Sequence, residues 1–173
     1  MPAIAVCLNP TTPKGCSTNS PVVVYNFPGP GWSAKLGPTG GGKWIWDAAL
    51  ITKSTRAEND HLIAGKNFEL PDCTTDGGFA GHIYLAADDF AELFVNGNLV
   101  GKVGSTTDAA IAHAAQSSLT RFDLSSNLKA GTNVITVHGI NGSGQFNKCQ
   151  NCSYSANPAG VVFGGSVGCR GTQ

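Results

Sequence analysis

The chain carries little charge, and neither sign is in excess. Only 13% of its 173 residues are Asp, Glu, Lys or Arg, and eleven acidic residues balance eleven basic ones. A surface that binds nucleic acid needs an excess of Lys and Arg, so we expect no nucleic-acid partner. No apolar run approaches the roughly 20 residues of a membrane-spanning helix, so we also expect no membrane insertion.

Sequence motifs of catalysis are scarce as well. The chain has no His-x-x-x-His metal pair and no phosphate-binding glycine loop. Glycosidases need two carboxyl groups that face a cleft, whereas the acidic residues here are scattered over predicted loops and strand surfaces. We therefore expect a protein that is not an enzyme.

Glycine is abundant instead, at 23 residues, and Gly, Pro, Asn, Ser and Thr interrupt short apolar runs at close intervals. This pattern is typical of an all-β sandwich or barrel, and the length suits one domain. We predict an extended N-terminal arm over residues 1–21, a single β-sandwich over 22–168 and a C-terminal tail over 169–173.

The stretch from residue 79 to 103 is the predicted centre of the sandwich. Two β-prone runs flank Asn96-Gly97, the dipeptide that best suits a two-residue type I′ hairpin, since both turn positions need a positive φ. Upstream, Ile83 to Leu85 predicts a further strand, which ends at the carboxylate pair Asp88-Asp89.

Three other features of the sequence allow a structural interpretation: an aromatic segment, an Ala-rich run and two histidines. Trp44-Ile-Trp46 is either a buried core strand or a platform on which sugars stack. The Ala-rich run from Thr107 to Gln116 predicts one short helix in a loop, with Thr107 or Asp108 as its cap. His61 and His113 have no partner at a suggestive spacing, so we interpret both as surface or hydrogen-bonded residues.

Six cysteines predict disulfides formed in an oxidising environment. The alternative for Cys149-x-x-Cys152, one half of a zinc site, would need two further cysteines with suitable geometry. Because the first ten residues do not look like a secretion signal, three accounts stay open: a signal that was removed, secretion by another route, or assembly inside a cell into a particle that is later exposed. The six stand at Cys7, Cys16, Cys73, Cys149, Cys152 and Cys169.

The order of these segments resembles that of galactose-binding-like β-sandwiches over roughly residues 40–168. The residues that carry the resemblance are Trp44-Ile-Trp46, the hairpin from Ala86 to Gly101, the run from Phe122 to Val137, and Gly160-Val-Val-Phe163. It implies an all-β fold, a jelly-roll β-sandwich of antiparallel strands with one short helix in a loop. Such modules occur as sugar-binding domains, as accessory domains of glycoside hydrolases and in structural proteins.

A weaker resemblance is to PA14-type lectin domains, in which two adjacent aspartates ligate calcium and the ion bridges to sugar hydroxyls. Asp88 and Asp89 match that pair in type and position, and Asn141 is the candidate for the second loop. The resemblance implies calcium as a cofactor. The plainer interpretation is that Asp88 accepts hydrogen bonds from loop amides and that Asp89 is solvated.

Two functions follow, both at an extracellular, cell-surface or virion location. The first is a structural subunit of a surface assembly, a filament, capsid or coat, which associates with itself or with neighbouring coat proteins through its cysteine-bearing ends. The second is a carbohydrate-binding module whose site is formed by Asp88, Asp89 and Asn141, with Trp32 as a stacking surface. The missing signal and the positions of the cysteines favour the first.

Overall fold

The computed structural model describes residues 6–7, 32–40, 42–46, 61–142, 153 and 156–172, and all structural statements concern these residues. Their elements are β1 (Val6–Cys7), β2 (His61–Leu70), β3 (Phe79–Asp88), β4 (Phe90–Val95), β5 (Asn98–Gly104), α1 (Ala109–Ser117), β6 (Thr120–Asp123), β7 (Gly131–Ile140) and β8 (Gly160–Cys169).

The strands form two antiparallel sheets of four. Strand order is β1-β8-β3-β6 in one sheet and β2-β7-β4-β5 in the other, and every pairing is antiparallel. Each sheet takes its strands from both halves of the chain, and this interleaved order is that of a jelly roll. The predicted all-β sandwich with one short helix is confirmed.

The core lies between the two sheets because apolar side chains alternate along the strands. In β4, Ala91, Leu93 and Val95 are fully buried, whereas Glu92 and Phe94 point to the other face and stay partly exposed. Each residue of a strand faces the side opposite to its neighbours, so this alternation fixes which face of the sheet packs inward.

The predicted hairpin at Asn96-Gly97 is confirmed. Asn96 has a φ of 52° and Gly97 a φ of 81°, and β4 and β5 pair on either side of them. The Asn96 side chain also donates to the carbonyl of Asn127 and to Oδ1 of the buried Asn133, both at 2.9 Å. The turn is therefore attached to the loop that leads into β7.

The aromatic segment before β2 belongs to the core. Trp44 and Trp46 are 8% and 0% exposed, and Ile45 joins β8 through a single bridge to Val161. The ring of Trp46 lies so close to Gly139 that a β-carbon there would stand 2.8 Å from it. The core interpretation is confirmed, and no exposed sugar platform exists at Trp44 and Trp46.

The predicted helix is confirmed with slightly different ends. It begins at Ala109 rather than Thr107, because the Asp108 side chain caps it by accepting from the backbone N–H groups of Ala110 and Ile111. No helix in the described part of the chain is long and apolar enough to cross a membrane.

Other boundaries differ from the predictions or lie outside the described residues. The run Gly160-Val-Val-Phe163, which carries part of the family resemblance, lies in β8, and β8 continues to Cys169 because it pairs with all ten residues of β3. Within the predicted N-terminal arm, Val6–Cys7 pairs with β8. The β-branched run from Pro21 to Tyr25 predicts a first strand, and it lies outside the described residues. The division into arm, domain and tail stays a prediction.

One disulfide is described, between Cys73 in the β2–β3 loop and Cys169 at the end of β8, with a separation of 96 residues. Because both cysteines belong to one chain, this bond does not link subunits. Two of the six cysteines are therefore not available for cross-links between subunits, and the assembly role stays a prediction. Cys16, Cys149 and Cys152 lie outside the described residues, and Cys7 is described only as part of β1.

We expect the double substitution Cys73→Ser and Cys169→Ser to lower the free energy of unfolding by about 3–5 kcal/mol, since the bond closes a loop of about 100 residues in the unfolded chain. Chemical denaturation of the oxidised variant and wild type measures the loss. The exposed pair Ser117→Ala and Ser118→Ala is the matched control. Equal midpoints for wild type and the cysteine variant would show that the bond adds no stability.

Candidate functional site

Two carboxyl groups meet where the chain passes from one sheet to the other. Asp88 is the last residue of β3 and Asp89 stands between β3 and β4, and the peptide bond between them is cis. Consecutive residues within a strand would point to opposite faces, but here the two side chains hydrogen-bond each other. Both residues are buried, at 6% and 7% exposure.

Asp88 is held by an indole. Nε1 of Trp32 donates to Oδ2 of Asp88 at 2.5 Å, and the Trp32 ring stacks on Trp44 with 4.4 Å between the centroids. Gly160 is the register partner of Asp88, and a β-carbon on Gly160 would lie 2.5 Å from the Trp32 ring. Glycine therefore lets the indole pack against β8 and reach the carboxyl group.

Asp89 is held by backbone groups from two other loops. The N–H of Gly142 donates to Oδ2 of Asp89 at 2.8 Å, and the N–H of Ser105 donates to the Asp89 carbonyl at 3.2 Å. Gly104 has a φ of +77°, and a β-carbon there would overlap the Asp89 carbonyl oxygen. The path of the chain at Asp89, between β3 and β4, thus depends on a glycine at the end of β5.

Asn141 lies beside these groups and is fully buried. Its Nδ2 donates to the carbonyl of Asn157 at 3.3 Å, and Nδ2 of Asn157 donates to the carbonyl of Gly142 at 3.5 Å. These contacts join the segments after β7 and before β8, and they hold the Gly142 amide against Asp89.

The electrostatics of the pair favour a shared proton when no cation is present. Burial and the neighbouring carboxyl group raise the pKa of Asp88 to about 8, although the Trp32 indole opposes the shift. Burial also raises the pKa of Asp89, while the hydrogen bond with Asp88, the Gly142 amide and nearby His113 act in the opposite direction. Two buried carboxylates in contact cannot both stay ionised without a compensating positive charge.

Burial raises the pKa of Asp89, and His113, interpreted from the sequence as a surface or hydrogen-bonded residue, acts in the opposite direction. His113 is exposed on α1, and its Nδ1 is 3.2 Å from Nε2 of Gln116. The carbonyl of Gln116 accepts from the N–H of Ser33 at 2.8 Å, next to Trp32. No local spacing relates His113 to Asp89, because α1 reaches the pair through the fold.

The structure brings all four residues of the predicted site into one neighbourhood. Trp32 contacts Asp88, Asp88 contacts Asp89, and Asp89 contacts the residue that follows Asn141. Asp89 is not solvated, contrary to the plainer interpretation. Gly142 joins the four through its backbone N–H, and its place beside Asn141 is the only local signal for it in the sequence. Whether these residues bind a ligand stays a proposal.

The donor set fits a hard cation better than a transition metal. Asp88 and Asp89 supply carboxylate oxygens, and calcium takes six to eight oxygen ligands. In the described part of the chain no three His, Cys, Asp or Glu side chains are grouped to hold a metal. A calcium ion would therefore take only two carboxylates from the described residues and complete its shell with other oxygens.

Comparison with solved structures finds distant and partial similarities. No family model and no curated protein matches the chain. A lectin from Pleurotus ostreatus in complex with GalNAc is 19% identical, covers 90% of this chain and 35% of its own, and has a TM-score of 0.49. A Streptomyces avermitilis α-L-rhamnosidase complexed with L-rhamnose is 19% identical, covers 69% of this chain and 10% of its own, and has a TM-score of 0.48.

A β-glucuronidase of glycoside hydrolase family 2 is 18% identical over 66% of this chain, with a TM-score of 0.42. The chain thus spans between 10% and 35% of the solved proteins named here. At these identities and TM-scores the likeness carries no information about function. The two-sheet architecture itself fits a galactose-binding-like β-sandwich, as the hairpin resemblance predicts.

In the presence of a chelator, we expect stability to fall as the pH rises from about 4 to 8. The folded state keeps the proton of Asp88 up to about pH 8, whereas the unfolded chain releases it near its ordinary value of 3.8. A raised pKa stabilises the fold below the unfolded value and loses that contribution as the pH rises through the folded value.

Thermal unfolding at pH 5 and pH 8 measures the effect. We expect Tm to drop by about 5 °C or more, since ~1 kcal/mol shifts Tm by about 2–4 °C at this size. In Asp88→Asn the drop should be smaller, because the amide stays neutral, and the exposed Asp76→Asn should behave like wild type. A Tm difference between pH 5 and 8 that Asp88→Asn leaves unchanged would contradict the assignment.

Proposed function

We propose that this domain is a non-catalytic carbohydrate-binding module, and that its site is the Asp88–Asp89 pair with the adjoining loop at Asn141. The observation that carries the proposal is the contact between two buried carboxyl groups, each fixed by a donor from a different segment, Trp32 for Asp88 and Gly142 for Asp89. Burial makes it unfavourable for both carboxyl groups to be ionised without a positive charge nearby. Because hydrogen-bond donors also fix the orientation of the two groups, the pair is suited to bind a cation.

Calcium is the cation that the oxygen donors favour. It would take the place of the shared proton, with Asp88, Asp89 and Asn141 as the residues that hold it. When bound, it supplies positive charge that orients hydroxyl groups. The Trp32 and Gly142 donors keep the carboxyl groups oriented in its absence, so little reorganisation is needed when it binds.

A cation held by only two carboxylates would have coordination positions left for the hydroxyl groups of a sugar. Two carboxylates do not fill a shell of six to eight oxygens, and neighbouring hydroxyls of one sugar ring are suited to complete it. His113, exposed on α1 near Asp89, adds a hydrogen-bonding side chain at the rim.

The same contact argues against hydrolysis of the sugar. Glycosidases separate their two carboxyl groups by about 5–5.5 Å when they retain configuration and by about 6.5–9.5 Å when they invert it. Asp88 and Asp89 hydrogen-bond directly, which leaves no room for a glycosidic bond between them.

A serine, a histidine and an aspartate on adjacent strands could suggest a catalytic triad, but they lack the contacts that a triad needs. Gly164 to Gly168 matches the Gly-x-Ser-x-Gly pattern, and Ser166 is in register with His82, which is in register with Asp123. However, Ser166 lies within β8 rather than on a strand-to-helix turn. Among the described residues no hydrogen bond joins His82 to Ser166 or to Asp123, and Asp123 instead accepts from the N–H of Ser125.

A glycan array probed with the full chain, with calcium or with chelator, tests the proposal. We expect saturable binding that chelator abolishes and that Asp89→Asn reduces at least tenfold, because the amide cannot supply the second negative charge. Asp76→Asn, which removes an exposed carboxylate near the opposite end of β3, should bind like wild type.

Two outcomes separate the parts of the proposal. If calcium raises Tm in wild type but not in Asp89→Asn, and no glycan binds, the cation site stands and the carbohydrate role is wrong. If glycans bind equally with calcium and with chelator, and Tm does not respond to calcium, the carbohydrate role stands without the ion.

A further inference from the structure

A row of four polar side chains crosses the outer face of the β2-β7-β4-β5 sheet, one from each strand. Lys102 Nζ lies 2.7 Å from Glu92 Oε1, and Glu92 Oε2 lies 3.4 Å from Nδ1 of His138. Nε2 of His138 lies 2.8 Å from Nδ1 of His61. The histidine row consists of these four residues: His61, His138, Glu92 and Lys102.

Strand register builds the row. Glu92 is the direct partner of Lys102 on one side and of His138 on the other. His138 pairs with Ile63 of β2, and His61 is two residues away on the same face. Residues at such positions are neighbours on a sheet surface, so the four side chains follow one another although they are far apart in sequence.

The two imidazole rings meet edge to edge. Their centroids are 5.1 Å apart and their planes differ by 21°. The distance between the centroids is close to the 2.8 Å distance between the nitrogens plus the distance from centroid to nitrogen in each ring. The two nitrogens therefore point at each other within nearly a common plane, in the direction of their lone pairs and N–H bonds.

Glu92 stands at the second ring nitrogen of His138. Its Oε1 lies 2.7 Å from Lys102 Nζ and its Oε2 lies 3.4 Å from His138 Nδ1. A carboxylate oxygen only accepts, so this position suits a His138 tautomer that has its proton on Nδ1 and its lone pair on the nitrogen that faces His61. Between the two rings, the nitrogens at 2.8 Å share one hydrogen-bonding proton.

We propose that His61 and His138 form a binding site for a borderline divalent transition metal such as Zn²⁺, Ni²⁺ or Cu²⁺, which replaces that proton. Imidazole nitrogen is a preferred ligand for these ions. Zinc with bonds of about 2.0–2.1 Å in tetrahedral geometry needs the two nitrogens about 3.3 Å apart. Because the two nitrogens point at each other, the rings have to separate by about half an ångström and also tilt so that both lone pairs aim at the ion. Both rings lie on the sheet surface.

The surroundings match what metal-bound histidines require. A carboxylate on the second ring nitrogen of a ligating histidine fixes its orientation and raises its basicity, and Glu92 holds that position for His138. No three metal-binding side chains are grouped in the described part of the chain, so the proposed site takes two histidine ligands from these residues. This proposal does not rest on the carbohydrate-binding function.

Zinc chloride titrated calorimetrically into the full chain, with excess calcium present, tests the site. We expect one zinc ion per chain, an affinity at least tenfold lower in His61→Gln and in His138→Gln, and about tenfold lower in Glu92→Gln. The double variant His82→Gln/His113→Gln removes the other two histidines of the sequence and should bind zinc like wild type.

Imidazole nitrogen NMR shifts in wild type give a second measurement that needs no variant. We expect zinc to move the signals of His61 and His138 and to leave those of His82 and His113 in place. Lack of saturable zinc binding to wild type would overturn the proposal. So would equal affinity in His61→Gln and wild type, or zinc-dependent shifts confined to His82 and His113.

Discussion

The pairing of β3 with β8 is the constraint on which the rest of the structure depends. It joins Phe79 to Cys169 at one end and Asp88 to Gly160 at the other, a span of about 30 Å at roughly 3.3 Å per residue. The Cys73–Cys169 disulfide stands at the first end, and the carboxyl pair with Trp32 stands at the second. One ten-residue ladder thus connects the covalent anchor of the domain to its candidate site. Because these strands lie in the middle of their sheet, neither end can shift without disturbing the core.

Local rules explain what could be predicted from the sequence. Asn96-Gly97 predicted its hairpin because the required positive φ values are a property of those two residues, and Asp108 was a recognisable cap because its contacts are two and three residues away. The candidate site is different. Asp88 was visible as a residue type, but its indole donor comes from 56 positions away, and the Gly142 amide reaches Asp89 from 53 positions away. Such contacts follow from strand register, which a single sequence does not display.

Burial is the second thing that the sequence did not reveal. The plainer interpretation of Asp89 as a solvated surface residue treated polarity as a guide to exposure, and polar side chains are indeed mostly exposed. Asp89 is buried because Gly104 lets the end of β5 pack against its carbonyl group and because the segment after β7 brings the Gly142 N–H onto its carboxyl group. Strand register is the reason why the contact between His61 and His138 is not visible in the sequence. Their 77-residue separation is bridged by the alignment of β2 with β7.

The burial of Asn141 bears on how the protein can be made. Asn141-Gly-Ser143 is an acceptor sequence for N-linked glycosylation, yet the Asn141 side chain is fully buried and donates to the Asn157 carbonyl. A glycan attached there has no space in the folded domain. In a eukaryotic secretory pathway, a chain glycosylated at Asn141 before it folds could not close the loop that carries Gly142 against Asp89. Material from such a host would then contain two populations that differ at one asparagine, and only the unmodified one would have an intact carboxyl pair.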